Sequence, residues 1–181
     1  MRIERYFTKP GVSPYELVAF ATAKSEIRNP DGSVVFSLEG VEVPAAWSQV
    51  AADVLAQKYF RKAGVPAKLK QVEEEGVPSF LWRSVADEAA LGALPKNERM
   101  GSESSAKQVF DRLAGAWAYW GWKAGLFDGE DDARAYFDEM RLMLARQVAA
   151  PNSPQWFNTG LHWAYGVDRS EERRVGKECR P

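Results

Sequence analysis

Pro151-Asn152-Ser153-Pro154-Gln155-Trp156-Phe157-Asn158-Thr159-Gly160-Leu161-His162-Trp163-Ala164-Tyr165-Gly166 is the stretch on which the reading of this chain turns. Pro151 and Pro154 forbid a preceding helix from running on. Trp156, Phe157, Trp163 and Tyr165 then stand among Asn, Ser, Thr and Gly. Composition leaves two readings open. One is a buried turn and strand of an ordinary core. The other is a binding wall, in which aromatic bodies supply apolar area while short hydroxyl and amide side chains and a glycine let polar groups approach a ligand.

Upstream, the period is helical. Ala133, Phe137, Met140, Leu144 and Val148 form an apolar stripe that starts behind the acidic cluster Asp128, Glu130, Asp131 and Asp132, where carboxylates favour a helix N-terminus. These carboxylates are consecutive and point around the helix start, so they are read as a cap and not as a divalent-metal site. A second helix, capped by Ser104 or Ser105, carries Val109, Phe110, Leu113, Trp117 and Trp120 and ends near Gly125. Residues 76–104 are punctuated by Gly76, Pro78, Gly92, Pro95 and Gly101, so they are expected to be a connection with one short helix over 86–93. Phe80, Leu81 and Trp82 pin that connection to a core.

A third helical period runs from Ala45, with Trp47, Val50, Ala51, Val54, Leu55 and Tyr59 as its apolar face and Gly64 as its stop. Arg61, Lys62, Lys68 and Lys70 form a basic run that Glu73, Glu74 and Glu75 neutralise, which reads as a solvated surface. Before it, residues 17–27 and 33–38 are extended, and Asn29-Pro30-Asp31-Gly32 between them is turn chemistry, so a hairpin is expected that Gly40 and Pro44 close.

The totals describe a soluble globular protein: 181 residues, 45% hydrophobic and 27% charged, with a formal net charge of −1 that argues against a general nucleic-acid binder. No run reaches the eighteen or so apolar residues of a membrane span, and no apolar stretch follows Met1-Arg2-Ile3-Glu4-Arg5, so a cytoplasmic location is expected. Cys179 is the one cysteine, which excludes an intrachain disulfide and a cysteine-built metal site. His162, the one histidine, has no acid near in sequence to orient it, and is read as packed or edge-exposed instead of as a general base. After Asp168 the run Arg169 to Arg180 is charged and without period. It reads as a disordered tail or, better, as an in-frame translation of a sequencing-adapter read.

Four stretches together resemble the adenosylcobalamin-dependent, class II ribonucleotide reductases: Ser25 to Phe36, Asp53 to Gly64, Ser105 to Gly115, and Pro151 to Gly166. The resemblance implies an α+β fragment, a small N-terminal β-hairpin unit followed by a helical region leading into a truncated α/β barrel. It divides the chain into an N-terminal domain over 1–104, a helical lead-in and barrel start over 105–168, and an artefactual tail over 169–181. It implies radical reduction of the ribose 2′ position for DNA synthesis, with adenosylcobalamin as cofactor and cysteines that this chain lacks.

By the same resemblance, substrate contact falls to Ser153 first, in the family's Ser/Thr-Pro segment, and then to Asn152, Trp156 and Phe157. No catalytic or metal residue is assigned. The partners implied are a ribonucleotide substrate, deoxynucleotide effectors, a thioredoxin-like reductant and further copies in a homo-oligomer, with no nucleic acid and no membrane. The activity would be that of a ribonucleoside-diphosphate reductase of the thioredoxin-disulfide type, and the chain alone is expected to be inactive. The alternative is a free-standing helical module that binds a nucleotide or a protein.

Overall fold

The computed structural model describes residues 1–167, so the reading of Arg169 to Arg180 as adapter sequence lies outside the described residues. The chain is α+β. A hairpin of β1 (Phe20–Arg28) and β2 (Val34–Pro44) leads into α1 (Gln49–Val54), which passes into a π-helical turn, Leu55–Tyr59. Two short antiparallel ladders follow, β3 (Val65–Pro66) with β6 (Met100–Gly101) and β4 (Leu69–Gln71) with β5 (Ser84–Ala86), and α2 (Glu88–Gly92) lies between β5 and β6. The longest helices are α3 (Ala106–Lys123) and α4 (Glu130–Ala145), and α5 (Ser153–Asn158) and α6 (Leu161–Tyr165) complete the described chain.

The central element is α3. Ser105 caps it, and Gln108 reaches back to accept the Ser104 and Ser105 N–H groups, so a capping box fixes where the helix begins. Val109, Phe110, Leu113, Ala114 and Ala118 are fully buried. Each large side chain among them contributes roughly 1.5–3 kcal/mol through apolar burial. One side of α3 packs with the hairpin, α1 and Trp156, and another with α4, the 77–82 connection and Trp163. Leu81 is fully buried in the second cluster, with Phe80 and Trp82 around it.

Several sequence expectations move. The hairpin does not close at Gly40: Glu39 and Gly40 together oppose Lys24 in a bulge, and pairing resumes to Pro44. The helix expected from Ala45 begins only after the Ser48 cap. It buries Ala52, Leu55 and Ala56, while Val50 and Val54 of the expected apolar stripe face outward. Of the basic run Arg61 is buried, so the solvated reading fails there, whereas Lys62, Lys68 and Lys70 are exposed and Lys62 turns its ammonium onto the Ala56 carbonyl. Desolvation of that ammonium pulls the Lys62 pKa below the usual lysine value. Trp120 and Val148 are exposed, 54% each, because Trp120 is on the outward side of α3, which still buries Gly121 after it, and Val148 lies beyond the end of α4 at Ala145.

The segment after Pro151 holds no strand among the described residues, neither the core strand composition allowed nor a first strand of a barrel. Pro151 is not what stops the preceding helix, since α4 already ends at Ala145 and the chain turns through Gln147 at φ 56; Pro154 sits in the first turn of α5, where its missing N–H is no loss.

The N-terminal arm is held along α4 by the acids of that helix. Asp132 accepts the Ile3 N–H, Asp138 pairs with Arg5 at 2.8 Å, and Asp128 pairs with the terminal ammonium. Glu139, 6% exposed, accepts the N–H groups of Tyr6, Phe7 and Thr8 and the Thr8 hydroxyl. The acidic cluster read as a helix cap thus also fastens the chain's start. Replacing Glu139 with Ala leaves three backbone donors without their acceptor. It should cost about 2 kcal/mol in chemical denaturation and speed hydrogen exchange at Phe7 and Thr8; unchanged exchange there would show that the arm is held by other means.

Candidate functional site

The residues singled out by sequence lie on α5 and just before it. Asn152 caps the helix, its Oδ1 accepting the Ser153 N–H at 2.9 Å. That backbone donor and that amide oxygen are therefore already used. The Ser153 hydroxyl is exposed and lies 3.0 Å from the Tyr59 hydroxyl. Trp156 is buried, donates its ring N–H to the Pro151 carbonyl at 3.0 Å, and stacks on Tyr59 with ring centroids 5.6 Å apart. Phe157 is 40% exposed and meets the same tyrosine edge-on at 5.1 Å. The structure thus gathers Ser153, Trp156 and Phe157 around Tyr59. Asn152 shapes the turn beside them.

Tyr59 was legible only as one member of a helical stripe. It closes a π-helical turn, an irregularity that places its ring against α5 where a regular helix would turn it elsewhere. No periodicity in the sequence announces such a turn.

Beneath the site lies a buried ion pair, Glu103 with Arg112 at 2.8 Å, both side chains without solvent exposure. Arg112 also donates to the carbonyls of Tyr59 at 3.1 Å, Trp156 at 2.7 Å and Thr159 at 2.8 Å. The guanidinium therefore satisfies carbonyls at the ends of both the π-helical turn and α5, where helix dipoles favour a cation. Glu103 accepts the Arg61 N–H at 2.8 Å and the Tyr165 hydroxyl at 2.8 Å. Burial first, and then the Glu103 carboxylate, push the Tyr165 pKa far above the usual tyrosine value, so this phenol stays a donor. A charge embedded in the run Val109-Phe110-Asp111-Arg112-Leu113-Ala114 was the sequence signal for this pair.

Downstream, Gly160 adopts φ +84 directly over α3, where a Cβ would lie 1.9 Å from the Arg112 carbonyl oxygen. Gly115 likewise leaves the space that the Trp163 ring fills. Trp163 donates to the Leu81 carbonyl at 2.9 Å. His162 is exposed and bonded through Nε2 to Arg83 at 2.8 Å, so it sits at an exposed edge.

Arg112→Met strands the Glu103 carboxylate in the core and should cost about 3–5 kcal/mol in urea unfolding; a loss below 1 kcal/mol would mean that water or another cation replaces the guanidinium. Gly160→Ala should destabilise by at least about 2 kcal/mol, since both backbone angle and space are refused, and a wild-type unfolding midpoint would refute the close approach.

Comparison with known proteins adds the family. A family model described as class II vitamin B12-dependent ribonucleotide reductase matches residues 21–147. Over 168 residues the chain is 70% identical to the vitamin B12-dependent ribonucleotide reductase of Bradyrhizobium diazoefficiens and equally to that of Agrobacterium fabrum, covering 93% of this chain and 13% of each relative. The Streptomyces coelicolor protein of the same name is 32% identical over 162 residues, 88% of this chain and 13% of its own length. The chain therefore spans about an eighth of these relatives, at their N-terminal end. The matched stretch contains nearly all of the hairpin, α1, α3 and α4, and the 168-residue alignment extends over the Ser153 segment, so the chain belongs to the class II, vitamin B12-dependent ribonucleotide reductase family as an N-terminal fragment.

Proposed function

We propose that this chain is the N-terminal part of an enzyme that reduces ribonucleotides to deoxyribonucleotides, and that in the complete enzyme the Ser153 hydroxyl holds a phosphate oxygen of the substrate. The observation that supports this reading is the identity of 70% over 93% of the chain, which includes an exposed serine hydroxyl held in place by Tyr59. A hydroxyl can donate to a phosphate oxygen while accepting from a neighbouring phenol, so Tyr59 can fix its direction. Asn152 supports the turn, and Trp156 and Phe157 give it an aromatic backing. The same identity favours the reductase over a free-standing binding module.

The finer assignments belong to this proposal: a ribonucleoside-diphosphate substrate, a thioredoxin-like reductant, deoxynucleotide effectors, assembly into a homo-oligomer and a cytoplasmic location. The division at residues 104 and 105 into an N-terminal domain and a catalytic lead-in belongs here too. Among the described residues no helix is long and apolar enough to cross a membrane.

The family implies adenosylcobalamin in the full-length enzyme. The described residues do not fit that group. His162 is engaged with Arg83, no cluster of His, Cys, Asp and Glu could hold a metal among them, and the cavity beside the N-terminal arm is walled by charged residues such as Arg2, Glu4, Asp128 and Asp131.

The test uses a chimera in which residues 1–167 replace the matching segment of the Bradyrhizobium diazoefficiens reductase. Ser153→Ala should raise KM for the ribonucleotide about tenfold or more, the worth of a hydrogen bond to a charged group, with the unfolding midpoint unchanged because Ser153 is exposed. An unaltered KM would sink the assignment. The 181-residue chain alone, given adenosylcobalamin, a dithiol and ribonucleotide, should form no deoxyribonucleotide.

A further inference from the structure

The face that carries Ser153 has an apolar groove beside it. Val50 and Val54 of α1 are 71% and 36% exposed, and Phe157 on α5 is 40% exposed. Val50 and Val54 line a cavity of about 330 Å³ together with Trp47, Leu55, Tyr59 and Trp156, with Ser48 and Gln147 also in its wall, and Phe157 lies next to it against Tyr59. A short surface helix is expected to turn polar side chains outward. Here α1 turns outward two β-branched side chains that are indifferent helix formers and find no core of their own. Contiguous apolar surface of this kind marks a contact.

The chain's relation to its relatives names the occupant. It spans 13% of their length, and its only cysteine, Cys179, lies outside the described residues, among which no His, Cys, Asp and Glu cluster could hold a metal. The groups that perform the chemistry must come from the remaining polypeptide. If Ser153 holds one end of a nucleotide, those groups must stand within a nucleotide's length of it, over this face. We infer that the groove lined by Val50, Val54, Tyr59 and Trp156 seats an apolar segment of the catalytic portion of the full-length polypeptide, closing the substrate pocket around Ser153. This rests on the reading of Ser153 as a substrate contact.

A second copy of the chain is the competing occupant, and labelling separates the two. Val50→Cys and Val54→Cys are placed singly in the isolated 181-residue chain and in the chimera, and alkylation by N-ethylmaleimide is followed at each site by peptide mass spectrometry. Both positions should react at least tenfold more slowly in the chimera than in the isolated chain. Equal rates in an active chimera would overturn the inference. So would equally slow rates in both proteins with the isolated chain sedimenting as a dimer, since a second copy would then fill the groove. The Ser153→Ala chimera distinguishes the two ideas: a covered groove with unchanged KM supports the seat and removes the substrate reading, whereas an open groove with raised KM removes the seat and keeps that reading.

Discussion

The buried pair of Glu103 and Arg112 is the interaction on which the arrangement of this fragment depends. Taking two charges out of water costs several kcal/mol each, and their attraction offsets that only when their remaining hydrogen-bonding capacity is filled. Here it is filled from across the chain: Arg112 reaches three carbonyls in two segments, and Glu103 receives the Arg61 N–H and the Tyr165 phenol. The pair therefore ties the π-helical turn, the start of α3, and both α5 and α6 to one point. Its contribution is to select a single arrangement of these segments more than to add net stability.

That constraint explains how α5 and α6 exist at all. Helices of six and five residues are far too short to persist alone. They form because α3 offers a template: a guanidinium for the carbonyls that end α5, a glycine-sized gap at Gly115 for Trp163, and a backbone that Gly160 can approach. The Ser153 hydroxyl inherits its position from this scaffold through Trp156, Tyr59 and Arg112.

Some of this was legible in advance. The cap at Ser105, the stripe of Val109, Phe110 and Leu113, the hairpin turn at Asn29 to Gly32 and the acidic start of α4 are local signals, and each formed where the residues place it. The misread parts are those in which a local rule met a tertiary alternative. Val50 and Val54 fit a helical stripe as well as Ala52 and Ala56 do, and only the position of the hairpin and α3 decided which side of α1 is inward. Arg61 looked solvated because the Glu103 carboxylate that accepts its backbone N–H and the Ala63 carbonyl that accepts its Nε–H leave no mark in a reading of charge alone.

The family, and with it the place of the Ser153 segment in a larger enzyme, was carried by the residues alone, since the matching stretches run in order over nearly the whole chain. Composition also left one cysteine, too few for an intrachain disulfide, and a net charge that argues against a general nucleic-acid binder. Tertiary structure alone decided that Pro151 to Gly166 folds as two helical turns and not as a strand, and that Tyr59 and Arg112 govern the setting of Ser153. The physical reason is that short segments have no intrinsic preference strong enough to fix their own state: partners distant in sequence, here a guanidinium 44 residues before Trp156, supply the missing hydrogen bonds.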